Sequence, residues 1–134
     1  MARTFYNPDE TPDPGTWLAM PEVDRIRLVL NQHISARAKV PGMKLHAAMH
    51  VVVENQIASG YGPSKRAVAR LQSEGLSRHD AIHAIAFVIA QFIFELNQGQ
   101  TPEQQSSYQS RMAAAIEQLR AEQWLAEGED AGNG

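Results

Sequence analysis

The chain has 134 residues, five of them histidine, and no cysteine; 12 Lys and Arg stand against 15 Asp and Glu, for a formal charge of −3. That length suits one domain with a real core, and 43% hydrophobic against 20% charged residues excludes a disordered chain. Without cysteine there is no disulfide, thiolate zinc site, iron–sulfur cluster or thiol nucleophile. The mild acidity argues against a nucleic-acid partner, because phosphate binding rests on Lys and Arg.

Residues 1–15, MARTFYNPDETPDPG, read as an irregular N-terminal arm. They are polar and proline-rich, with no apolar stretch of the kind a secretory leader carries. No uninterrupted apolar run reaches the ~18–20 residues of a membrane span. The expectation is a cytoplasmic protein without a membrane partner. Phe5, Tyr6, Trp17, Leu18 and Met20 suggest that the arm packs onto the rest of the chain or onto a second copy, so a homo-oligomer is one expected partner state.

The remainder reads as helix throughout. Pro21 suits a first helical position, and Val23, Ile26, Leu30 and Ile34 recur at helical spacing before Pro41-Gly42. A second helix is expected from Met43 to Ser59, ending at Gly60, and a short third from Pro63 to Glu74, closed by Gly75. Ser77-Arg78-His79-Asp80 has the form of a capping box and opens a long fourth helix to Asn97. Thr101-Pro102-Glu103-Gln104 opens a last helix, expected to run to Glu127. The prediction is an all-α domain over 16–127: a bundle of four main helices and one short helix, followed by a flexible tail, 128–134.

The fourth helix is apolar nearly all round. Ile82, Ile85, Ala86, Ile89, Phe92, Ile93 and Leu96 form its main face, Phe87, Val88 and Phe94 widen it, and only a strip with Asp80, Ala84, Gln91 and Glu95 is left for water. It is therefore expected at the centre of the bundle, with Ala86 and Ala90 letting a neighbour approach. Lys65, Arg66, Arg70 and Arg78 are the main basic cluster. Gly75 gives that region the outline of a helix-turn-helix, but the helix that follows has no polar face for base edges. Those cations are expected on a solvated face, or with Arg66 and Arg70 around Glu54. Gln56 projects toward apolar neighbours and is expected to make an interhelical hydrogen bond.

Four of the five histidines form two pairs at spacing i, i+4: His46 with His50, and His79 with His83. Residues four apart on a helix point the same way, and two imidazoles so placed can share one ion. Glu54 continues the first stripe. If the two flanks face each other, His46, His50, Glu54, His79 and His83 converge, in the kind of interhelical place where bundles hold metals. Nitrogen and oxygen donors without thiolate suit Zn, Fe, Ni or Mn. An ion with a free coordination position could activate water or take a small molecule, with Glu54 as ligand or base. Ligation needs neutral imidazoles, so affinity is expected to fall below about pH 6.5. No reaction can be read from these residues: H-E-x-x-H, repeated E-x-x-H, nucleotide-binding glycine loops and the nucleophile elbow are all absent from the sequence. The other reading is a non-catalytic interaction module whose histidines are structural.

Two resemblances bear on this reading. The order His33, then His50-x-x-x-Glu54, then His79-x-x-x-His83 resembles the first part of the hemerythrin pattern, which implies a diiron four-helix bundle with those five residues as ligands. Hemerythrins add a His and an Asp on the last helix, whereas no histidine follows His83 here. Leu45-His46, His50-x-x-x-Glu54-Asn55-Gln56, Arg70-Leu71 and Glu74-Gly75-Leu76-Ser77-Arg78-His79-Asp80-Ala81-Ile82-His83-Ala84-Ile85 resemble uncharacterised bacterial helical proteins of similar length. That resemblance spans roughly residues 43–97 and implies no activity.

Overall fold

The computed structural model describes residues 5–35 and 42–124. Among the described residues there is no strand. The helices are α1 (Pro14–Ala19), α2 (Glu22–Ser35), α3 (Met43–Ala58), α4 (Gly62–Ser73), α5 (Arg78–Asn97) and α6 (Pro102–Glu117), with a further helical turn at 121–124. The chain is all-α and bundle-like. The expected end of the second α-helical segment before Pro41, and the tail 128–134, lie outside the described residues.

Local chemistry accounts for the boundaries. α3 ends with Tyr61 N–H on Gln56 O at 2.8 Å and Gly60 N–H on Ile57 O at 3.1 Å, with Gly60 at φ +83°. α4 ends the same way, with Leu76 N–H on Leu71 O and Gly75 N–H on Gln72 O, both at 3.0 Å, and Gly75 at φ +109°. Each is the paired hydrogen-bond termination that a left-handed residue makes possible and that glycine adopts without a Cβ penalty. Leu71 and Leu76 are both buried in the core beside the second turn. The reversal at Gly75 sends the chain straight into α5, where Ser77 Oγ accepts from Asp80 N–H at 3.0 Å. Thr101 and Gln104 cap each other at the start of α6.

Two differences from the sequence expectation stand out. The arm is not wholly irregular: Asp13 caps α1, accepting from Thr16 N–H at 3.0 Å, and Pro14 opens it. The last helix breaks after Glu117 and a separate helical turn follows at 121–124; its expected end at Glu127 lies outside the described residues. The reason lies on α4, where Arg70 donates to Ile116 O at 2.9 Å and Leu119 O at 3.0 Å. Those carbonyls are satisfied by a guanidinium, so the chain can turn without orphaning them. Glu74 Oε1 then takes Ala121 N–H at 2.8 Å at the head of the next turn.

The core has two parts. The larger one joins α3, α4, α5 and α6 through Val53, Leu71, Ile82, Ile85, Ile89, Met112 and Ile116. The smaller one packs Tyr6 and Trp17 with Val29, Ala47 and Val51, so the arm docks on α2 and α3 of its own chain. Trp17 Nε1 donates to Asn55 Oδ1 at 2.8 Å, and Ser64 Oγ donates to Gln56 Oε1 at 2.6 Å, the interhelical bond expected of Gln56.

α5 is long and apolar enough to cross a membrane by length and composition, but its central place in the bundle holds for its first half alone. Ala81, Ile82, Ala84, Ile85, Ala86, Val88 and Ile89 are buried, whereas Phe87, Ile93, Phe94 and Leu96 are exposed. Ala84, expected toward water, is buried, and Ala90, expected at a close approach, is exposed. Helical periodicity measures how apolar a face is; it does not tell how far the neighbouring helices extend along it.

Candidate metal centre

All five histidines meet at one junction of three helices. α2 supplies His33, α3 supplies His46 and His50, and α5 supplies His79 and His83. His33, His46, His50 and His83 each offer a ring nitrogen, and these four atoms lie within 4.8 Å of one another. His50 Nε2 and His83 Nε2 are 2.8 Å apart, and His46 Nε2 and His83 Nε2 are 3.1 Å apart. Their spacing is compatible with a shared metal ion. The two i, i+4 pairs therefore do face each other across α3 and α5.

Hydrogen bonds outside the cluster fix which nitrogen faces inward. His33 Nδ1 lies 2.9 Å from Val29 O, one turn back on α2. A carbonyl only accepts, so Nδ1 carries the proton and Nε2 presents a bare lone pair. That Nε2 is buried with no partner. At His50, Tyr6 OH donates to Glu54 Oε2 at 2.6 Å, and His50 Nδ1 stands 3.1 Å from the same phenol oxygen. With the hydroxyl proton committed to the carboxylate, the phenol oxygen accepts from His50 Nδ1–H, and His50 Nε2 is bare as well. Second partners on the outer nitrogen are how metal-binding imidazoles are oriented.

Glu54 sits behind this layer. Arg78 Nη2 and Nη1 donate to its two oxygens, each at 2.8 Å, and both side chains are almost wholly buried. Arg78 Nη1 also donates to Pro8 O at 3.0 Å, tying the arm over the pair. Glu54 thus points away from the four-nitrogen group and acts on it through Tyr6. The cations expected near Glu54 are elsewhere: Arg66 pairs with Glu117 at the surface, and Arg70 caps the end of α6. Arg78, from the same basic stretch, is the one that reaches Glu54.

His79 stands at the edge of the group. Its ring centroid is 4.3 Å from His83, 5.2 Å from His50 and 5.8 Å from His33, and its Nε2 is buried without a partner. Its backbone N–H donates to Asp9 Oδ1 at 3.2 Å. Asp80, expected as an outer group near this pair, lies close enough, with Asp9, to act on the His79 charge.

The electrostatics favour the neutral form of His46, His50, His79 and His83. Burial, then the neighbouring histidines, push His46 down to about 4 and His83 down to about 3. Burial and the other four rings lower His50 further still, and burial with His33 lowers His79 against the opposing pull of Asp9 and Asp80. Tyr6 is raised by burial and by the adjacent Glu54 charge, so it remains a phenol. For Arg78, burial opposes the charge, but the hydrogen bonds and charge of Glu54 outweigh it and leave the guanidinium raised. His46, His50 and His83 are therefore ready to ligate at neutral pH.

His33, Tyr6 and Arg78 are the functional neighbours that spacing alone does not single out; the hemerythrin resemblance does point to His33. One local signal was available for Arg78. A cation in the first turn of a helix opposes the helix dipole, so something else must hold it there. Compared with known protein families, curated proteins and solved structures, the chain matches none of them.

Proposed function

We propose that this protein is a transition-metal-binding helical bundle, with His33, His46, His50 and His83 as ligands. One observation carries the reading: the inward nitrogens have too few protons for their contacts. His50 Nε2 is bare, so the 2.8 Å contact requires His83 Nε2–H to donate to it. His83 then has no lone pair on that nitrogen for His46 at 3.1 Å, and His33 Nε2 has no partner at all. Any other tautomer of His83 sets two lone pairs face to face at 2.8 Å. A buried polar atom left unmatched costs about 1–3 kcal/mol. A single cation accepts every one of these lone pairs at once.

The donor set narrows the metal. Four imidazoles and no carboxylate suit Zn, Fe, Ni or Cu and disfavour Mn, which prefers oxygen. Glu54 serves as the outer anchor, holding His50 in the right tautomer through Tyr6. Because the folded imidazoles stay neutral well below their ordinary pKa, binding is expected to persist under pH 6.5, lower than free imidazoles would allow.

The test is metal content and melting temperature of tag-free protein, as purified and after chelation and dialysis against each metal. Wild type binds close to one equivalent and melts several degrees higher when loaded. His50→Ala with His83→Ala, shown folded by circular dichroism, loses both effects. Substoichiometric metal in both proteins, with melting unchanged by chelator, overturns the reading and leaves an interaction module with structural histidines.

A further inference from the structure

We infer that the loaded centre binds a small anion of a few atoms on its His79 side, through a coordination position that the four histidines leave free. The inference rests on the metal reading above and adds a ligand class to it. Three independent features support it.

The first is charge. Four neutral imidazoles leave a divalent ion's two positive charges uncompensated. Among the described residues Glu54 is the only buried carboxylate, and Arg78 holds both its oxygens, so that pair is neutral as a unit. An uncompensated charge in a low-dielectric interior is strongly unfavourable, and an anion is the direct remedy.

The second is geometry. At metal–nitrogen bonds of about 2.0–2.1 Å, neighbouring corners of an octahedron lie about 2.9 Å apart and those of a tetrahedron about 3.3 Å apart. The 2.8 Å contact matches the octahedral edge, and the 3.1 Å contact falls midway between the two. Ligands spaced so closely leave part of the coordination sphere for something else.

The third is His79. Its ring stands against His83, His50 and His33. Its Nε2 is buried and unpartnered, so in the Nε2–H tautomer it would have a donor free for an anion on the metal. It also lies in the first turn of α5, where the helix end is partially positive. Asp9 and Asp80 both act on this ring, but Asp9 is exposed and Asp80 half-exposed, so water screens their charges more than it would a buried carboxylate's. His79 is thus assigned to positioning the anion rather than to the metal itself.

The experiment uses the full chain reconstituted with Co(II), titrated with azide, and read by visible absorption. Wild type is expected to show a saturable spectral change. His79→Ala and His79→Gln should still bind one Co(II) and should weaken azide binding at least tenfold. Co(II) uptake with a spectrum that azide leaves unaltered up to 100-fold excess overturns the anion site while the metal centre stands. Azide binding within twofold of wild type in both variants, or loss of Co(II) itself from both, overturns the role assigned to His79. Failure of wild type to take up Co(II), Zn(II), Ni(II) or Cu(II) overturns the metal reading and this inference with it.

Discussion

The two halves of α5 share a composition and live in different surroundings. Residues 78–89 carry Arg78, His79 and His83 into the junction with α2 and α3, and pack Ile82, Ile85 and Ile89 into the main core. Residues 90–97 run past their neighbours, so Ile93, Phe94 and Leu96 face outward. Only Phe92 there packs against the core, with Tyr108 at 5.7 Å and the Arg111 guanidinium over its ring. An equally apolar sequence therefore holds buried polar chemistry where it is enclosed, and only the solvent-exposed Glu95–Arg111 pair where it is not. Enclosure is what makes an imidazole's lone pair or an Arg–Glu pair consequential, because water no longer competes.

Substitutions can break that contrast at either end. The largest effect is expected for Arg78→Met, which leaves Glu54 buried and charged without its partner. Urea unfolding should show a loss of about 3–5 kcal/mol, with part of it recovered in the double variant Arg78→Met, Glu54→Leu. An undiminished midpoint for Arg78→Met alone would show the pair to be solvated. Next, Ile85→Ala in the enclosed half should cost about 2–5 kcal/mol, whereas Ile93→Ala, 40% exposed, should cost less than about 1 kcal/mol. Equal losses would mean that the far half is covered in solution, and gel filtration of the wild type would then show a larger species.

Acid sharpens the comparison, since the histidines lie only in the enclosed half and its neighbours. An unfolded imidazole takes a proton near pH 6.5, while folded His46 and His83 refuse one until about 4 and about 3. Between those limits the unfolded state binds more protons. Stability of the metal-free protein is therefore full above about pH 6.5 and declines as pH falls toward the folded values. The melting temperature should drop by several degrees between pH 7.5 and pH 5, and His46→Gln with His83→Gln should flatten the profile. A wild-type profile already flat over that range would show the rings to be solvated. The smallest effect is expected at the exposed end, where Phe94→Ser should change stability by no more than about 0.5 kcal/mol, as judged by the same urea titration.

Much of this was legible in the residues. Glycine and proline at helix ends, the Ser77 and Thr101 caps and the apolar periodicity delimit α3, α4 and α5 closely, because these are local hydrogen-bond and steric effects. The two i, i+4 pairs identify four of the five clustered rings. Glu54 was harder: spacing puts it on the histidine stripe, but Arg78 and Tyr6, 24 and 48 residues away in the chain, turn it outward. Arg70 likewise ends α6 from a distance of some 46 residues, which no inspection of α6 alone could show.

The sequence by itself determined an all-helical chain and the stripe on each helix from which its imidazoles project, since both follow from steps of 100° and from groups a few residues apart. Only the tertiary structure decided that His33 joins them, that Glu54 is given to Arg78 and Tyr6, and that α5 is half enclosed. Those outcomes depend on which long-range partner reaches each buried charge or lone pair first, and on how far one helix extends beside another. Neither quantity is written in the spacing of residues along a single helix.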